Sequence, residues 1–330
     1  MFYLDMLKVK IVYIGGYNEL KSILNKESNE TRRSSVILQT LLYGKENHGI
    51  TLNSSPDFKV LRRFTLKCLR DLGFGKQKSE SLILEETKCL IEELKKRITQ
   101  NGGRFQKNDL DILLEKTSLN IMWNLVAGER FEYSDKMIEK LLYFNESFTK
   151  IGKDIAGKPL GIFPFLKHIP PFRSKYQEIE NGLKELQQYF ETSISFHEGT
   201  LDMDHPRDFI DMYLIEARNT EHPILTKANL IAVCADLFFG GSETTSKVCT
   251  YQSLTFHLLC FFQSLMWDFA FMIHHQHIQD AIRSELDEAS GDSMVVMKHK
   301  EEIPLTEATI NEAWRLGNVV GLPPFRVAQV

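Results

Sequence analysis

Apolar residues recur along this chain at the three-and-four spacing of helices far more often than at the alternating spacing of strands. Tyr176, Ile179, Leu183, Leu186, Phe190 and Ile194 mark one face of a long helix. Residues 57–72 set Leu61, Phe64, Leu66 and Leu69 among basic residues, which predicts an amphipathic helix with a strongly basic face. The same spacing predicts helices over 79–98, 109–127 (stopped by Gly128), 136–150, 278–289 and 305–316, and HPRDFIDMYL at 205–214 opens a short one. Strand-like alternation is confined to 7–14, where Lys8 and Lys10 alternate with Val9 and Ile11; Gly15 and Gly16 then turn the chain into a short helix over 17–24. Residues 25–55 are polar and irregular. The four prolines of GKPLGIFPFLKHIPP, 157–171, forbid a regular helix and suggest an apolar loop that lines a cleft or touches a surface. The pattern predicts a mainly α protein with a small β element at each end.

One apolar helix organises the rest: LIAVCADLFFGGSETT, 230–245. Gly240 and Gly241 each weaken a helix by about 1 kcal/mol relative to Ala. Read blandly, the pair is a C-cap that ends a core helix. Read functionally, it loosens the helix just before Glu243 and Thr244, an acid beside an alcohol, which suits proton delivery to something bound alongside.

Composition narrows the options. The 330 residues are 43% hydrophobic and 25% charged, ordinary for a globular chain, and the net charge of −4 gives no hint of nucleic acid as a partner. Cys68, Cys89, Cys234, Cys249 and Cys260 are scattered without a CxxC spacing, so neither a zinc site nor a disulfide framework is indicated. The first residues lack the apolar stretch of a signal peptide. The window 254–273 is long enough to span a bilayer, but it carries His257, Gln263, Ser264 and Asp268. An acid at mid-membrane costs about 2.5–3.5 kcal/mol.

Glu312 and Arg315 stand at i and i+3 on the final helix, so carboxylate and guanidinium face each other. Taken with GGSETT, this pair resembles the motifs of the cytochrome P450 family, in particular the microsomal heme-thiolate monooxygenases of animals. GGSETT is similar to the family's oxygen-activation motif, and Glu312/Arg315 to its E-x-x-R. FKVLRRFTLKCLRDLGFGK around Arg62 resembles its W-x-x-x-R helix. GERFEYSD, the proline-rich loop, HPRDFIDMYL and LTEATINEAWRLGN extend the likeness over nearly the whole chain. The resemblance implies a heme cofactor, with NADPH supplying electrons through a partner, NADPH–cytochrome P450 reductase. Thr244 would hydrogen-bond bound dioxygen and Glu243 would relay protons. Gly240 and Gly241 would let the helix open beside the heme, and Arg62 would pair with a propionate. Glu312 and Arg315 would form a structural pair without chemistry. The substrate would be a small apolar molecule: a steroid, terpenoid, fatty acid or xenobiotic. The surface near 157–171 would face the membrane, and full-length members sit on the cytoplasmic face of the endoplasmic reticulum.

The chain departs from that pattern in four places. Phe58 replaces the usual tryptophan and lacks its indole N–H, which predicts weaker heme retention. No cysteine sits in a glycine-rich loop, so the axial ligand is expected beyond Val330. No N-terminal anchor precedes Met1. Residues 248–263 separate ETTSK from SLMW, and their removal restores the family's spacing; they look like a sixteen-codon intron retained in frame. The expectation is a single incomplete cytochrome P450 domain over 1–330, its N-terminal two thirds, with a probable insertion and no heme-thiolate loop. Two rival readings are a non-catalytic fragment or pseudogene product and a helical membrane protein.

Overall fold

The computed structural model describes residues 2–6, 9–24, 48–51, 53, 55, 57–74, 77–103, 107–143, 164–170, 172–246 and 264–317. An antiparallel hairpin pairs Phe2–Met6 (β1) with Val9–Tyr13 (β2), in the register Phe2 to Tyr13. The alternation over 7–14 marks the second of these strands. Helix α1, Tyr17–Leu24, follows the glycine turn as expected.

The helices are α2 (Phe58–Asp71), α3 (Gln77–Gln100), α4 (Lys107–Ala127), α5 (136–143), α6 (Phe172–Thr200), α7 (Phe209–Thr220), α8 (Lys227–Ser246), α9 (Ser264–His274), α10 (Gln276–Ser290) and α11 (Pro304–Gly317). The fold is mainly α, as its periodicity predicts. The proline-rich stretch contains a short 3-10 helix at Pro164–His168, in keeping with a segment that cannot form regular α-helix. The irregular reading of 25–47, the rest of the 136–150 helix, residues 157–163, the insertion 248–263 and the second β element all lie outside the described residues. Among the described residues, no helix is long and apolar enough to cross a membrane.

The core sits where α4 and α8 run against each other, with α6 and α7 closing over them. Trp123 of α4 is fully buried and lies 5.5 Å from Phe190 of α6 and 6.0 Å from Phe238 of α8, ring centre to ring centre. Its indole N–H donates to Glu129 Oε2 at 3.2 Å, so the ring is buried with its polar atom paired. Helix α2 joins this cluster through Leu61, Cys68 and Leu69. One detail differs from the sequence pattern: Leu66 faces outward and Thr65 inward, with the Thr65 hydroxyl donating to the Leu61 carbonyl at 2.9 Å. That bond lets a hydroxyl be buried at low cost.

Helix α4 is buried on every side from 113 to 120, polar residues included. Lys116 donates to the Tyr133 carbonyl at 2.7 Å and to Glu139 at 3.1 Å. Asn120 donates to Glu86 and accepts from the Phe131 N–H at 3.0 Å. Tyr133 O–H donates to Glu86 at 2.8 Å, and Arg130 pairs with the other Glu86 oxygen at 2.7 Å. Buried polar groups survive when partnered in this way. Gly128, with φ 66, ends α4 by sending its N–H to the Asn124 carbonyl.

Candidate functional site

Helix α8 starts at a threonine cap, where Thr226 Oγ1 accepts from the Asn229 N–H at 3.2 Å. Leu230, Ala232, Val233, Cys234 and Phe238 are then buried. The helix runs straight through Gly240 and Gly241 to Ser246, so the pair is not a C-cap. Packing of α4 along α8 outweighs the roughly 2 kcal/mol that two interior glycines cost. One turn before the pair, Asp236 Oδ2 accepts the N–H groups of Ile50 (2.5 Å) and Thr51 (3.0 Å), clamping the preceding chain segment onto the helix. Gly240 is exposed, and a Cβ there would meet no atom within 4 Å, so the helix is open on that side. Glu243 and Thr244 follow within the same unbroken helix. Their side chains, like that of any residue at 241–246, lie outside the described residues.

The other residues singled out by sequence take these positions. Phe58 opens α2 and is 2% exposed, a core residue. Arg62, one turn later, is exposed on the solvent side of α2, in company with Arg63, Lys67 and Arg70. Glu312 and Arg315 form a two-bond pair on α11, Nε to Oε2 at 2.7 Å and a terminal nitrogen to Oε1 at 2.5 Å. Both side chains are more than half exposed, at 55% and 66%. The guanidinium's hydrogen bonds hold the Glu312 carboxyl below its ordinary range. Helix α11 packs against α9, and α9 against α8, which links the pair to the organising helix through α9.

The test for heme turns on sulfur. Cys68 and Cys234 are buried on helices at 2% and 0% exposure. Burial pushes the Cys68 thiol up to about 12 and the Cys234 thiol up further, so both stay protonated. Cys89 is half-buried on α3. A metal-ligating cysteine has to be a thiolate presented to the metal, and the buried Cys68 and Cys234 are not. Cys249 and Cys260 lie outside the described residues. Gly240 leaves room on one side and Arg62 offers a cation, but the described residues do not by themselves make a complete heme site.

Sequence reasoning missed a buried polar cluster at the junction of α6 and α7. His197, Asp208 and Asp211 are all at most 2% exposed. Their ligating atoms lie within 4.8 Å of one another, and each already has a protein hydrogen-bond partner. A signal was available: His197 continues the apolar stripe of Phe190 and Ile194, where an ionisable residue requires a partner. Asp236 was visible in the same way, as the single acid in an apolar run.

The model of the family named Cytochrome P450 matches residues 1–260 and 261–329. The chain belongs to the cytochrome P450 family. Among curated relatives it is similar to cytochrome P450 2B4 of Oryctolagus cuniculus, 31% identical over 288 residues, covering 86% of this chain and 53% of that one. Cytochrome P450 2E1 of Mesocricetus auratus is 30% identical over 327 residues, 97% of this chain and 60% of the relative. The chain thus spans between about half and three fifths of the length of these P450 relatives. A zebra fish cytochrome P450 solved with progesterone shares the fold, with a TM-score of 0.76 at 21% identity, over 95% of this chain and 67% of that one. Heme is the cofactor of the P450 family, and its members are monooxygenases.

Proposed function

We propose that this chain serves heme-dependent monooxygenation, the insertion of one oxygen atom of O2 into a small apolar organic substrate. The observation that carries the reading is α8: an unbroken helix, largely buried from Leu230 to Phe239, with an exposed Gly240 that has open space beside it and the acid–alcohol pair Glu243 and Thr244 immediately beyond. A carboxyl and a hydroxyl on one helix turn can pass a proton to a group bound in that space. Steroids, terpenoids, fatty acids and xenobiotics fit an apolar site. Arg62 would be the cation for a heme propionate, with Phe58 one turn before it on α2. Heme, when bound, would supply the oxygen chemistry; its thiolate ligand would come from a residue other than the buried, protonated Cys68 and Cys234.

Electrons come from NADPH through NADPH–cytochrome P450 reductase. The exposed Arg63, Lys67 and Arg70 of α2, at three-and-four spacing, offer an acidic partner a basic docking face. The endoplasmic reticulum membrane, on its cytoplasmic side, is the expected location. Phe165 and Ile169, exposed at 59% and 45% beside Lys167, support a membrane-facing role for the region around 157–171.

Expression in two forms tests the reading. The chain by itself should show no Soret band of the thiolate type after reconstitution with heme. Joined to the C-terminal heme-binding part of a microsomal relative, and with 248–263 removed, it should show that band and oxidise apolar substrates with NADPH and reductase. In that joined protein Thr244→Ala should cut turnover by about a hundredfold. A joined protein that folds but takes up no heme would refute the proposal.

A further inference from the structure

The cluster at the α6–α7 junction has a protonation state dictated by its partners. His197 Nδ1 lies 2.7 Å from the Ser193 carbonyl oxygen, and Nε2 lies 2.9 Å from Asp208 Oδ2. A carbonyl only accepts, and so does an ionised carboxylate. Either neutral tautomer of His197 would turn a bare nitrogen lone pair toward one of these oxygens. Only the imidazolium donates to both. The ring is 2% exposed, so water cannot relieve a mismatch.

Asp208 has a second task. Its Oδ1 accepts the Asp211 N–H at 3.0 Å and caps the first turn of α7. One carboxylate thus ties the last turns of α6 to the start of α7. Its place is cramped: a Cβ at Gly128 would come within 3.1 Å of Asp208 Oδ2, which ties the end of α4 to the same point.

The charges around the ring are accounted for from each neighbouring element. On the α7 side, Asp211 adds a second carboxylate, and Arg207 neutralises it through bonds of 2.6 and 2.9 Å. In the connecting segment Asp202 and His205 form an exposed pair at 3.4 Å. On α6, Glu198 is engaged by Lys227 of α8 at 2.8 Å. Also on α8, the buried thiol of Cys234 is near enough to feel the Asp208 charge. At the end of α4, Glu129 is turned away to Trp123 and Tyr189. Two cations and two carboxylates therefore balance around His197 only while the ring is charged.

We propose that His197 and Asp208 form a pH-sensitive latch, which holds the end of α6 to the capped start of α7 while the imidazole is protonated and loosens the 201–208 segment when it is not. Burial alone would lower the histidine's pKa, but the bonds to Asp208 and Ser193 and the acidic charges outweigh it, and the net shift is upward. A raised folded-state pKa means that the latch is fully closed below the histidine's ordinary value and is lost as pH rises through the raised one. Function follows from position: α7 packs on α2 and α4, so the latch sets how firmly the docking helix is backed.

Hydrogen exchange of the full chain, corrected for intrinsic rates, tests this from about pH 6 to about pH 9. Protection across 201–213 should fall several-fold as pH rises in the wild type. Asp208→Asn keeps a capping side chain and keeps His205, yet removes the charge that holds the imidazolium. Its protection should not vary with pH in that window. A flat wild-type profile, or an unchanged slope in Asp208→Asn, overturns the latch. Should that variant fail to fold, nitrogen NMR of the wild-type histidines decides. A ring with both N–H protons slow to exchange above neutral pH supports the proposal, and the lack of any such ring ends it. Among the described residues the other buried histidine is His299, whose Nδ1 accepts from the Val296 N–H instead of facing an acceptor, which distinguishes the two.

Discussion

Glu221 adopts φ 48 and ψ 28 at the end of α7, with its N–H bonded to the Ala217 carbonyl at 3.2 Å. This left-handed cap conformation suits glycine, and a side chain there carries steric strain. Glu221 is exposed, so nothing is lost from a buried contact on truncation. Glu221→Gly should therefore stabilise the chain by about 0.5–1 kcal/mol, read as a higher urea midpoint at unchanged slope. No sequence pattern announces such a residue, because Glu is an ordinary helix former and the strain arises only where the helix stops. The opposite holds for Gly128, whose place after an apolar helix reads at once as a C-cap. Asp236 and Asn229 lie between these cases. Their partners, the N–H groups of Ile50 and Gly49, are 186 and 180 residues away along the chain. A local pattern can say that such a polar residue needs a partner, but not which one.

Helices α9, α10 and α11 form a second packing group beside the main core, and its weak point is an acid. Asp268 has one oxygen, Oδ1, out of water without a hydrogen-bond partner. Burial pushes its carboxyl up to about 6, only partly opposed by a bond from Trp314. The folded state thus prefers the protonated acid. That contribution is complete below the ordinary carboxyl value of 3.8 and disappears as pH rises to about 6. Asp268→Asn should stabilise the chain by about 1 kcal/mol at neutral pH, after discounting for its partial exposure, and by nothing near pH 4. Denaturant titrations at the two pH values check this. The helices of this group were legible because their apolar spacing is local. Strand β1 was not, because FYLDM becomes a strand through pairing with β2, and its own five residues carry little alternation.

At the scale of the whole molecule, the junction between α8 and α9 decides how the two groups fit together. Sixteen residues, 248–263, intervene between ETTSK and SLMW, and the family match divides between 260 and 261, inside that segment. A helical insertion of that length would turn whatever follows by roughly 160°, at about 100° per residue. Helix α9 does present large apolar side chains outward, Phe269 at 38% and Ile273 at 66% exposure, and on α11 Trp314 and Leu316 are exposed at 49% and 50%. Exposed apolar side chains of this size favour association where they lie together. We therefore expect that deleting 248–263 lets α8 continue into α9 in its original phase and turns part of this surface inward. The deletion should raise the midpoint of thermal unfolding by about 2–4 °C for each kcal/mol gained, and should lower binding of an apolar dye. A deletion that lowers the midpoint, or that aggregates where the parent does not, would mean the segment belongs to the fold. Transcripts give an independent reading: if every complementary DNA across this site retains the sixteen codons, the retained-intron account fails, whatever the deletion does to stability.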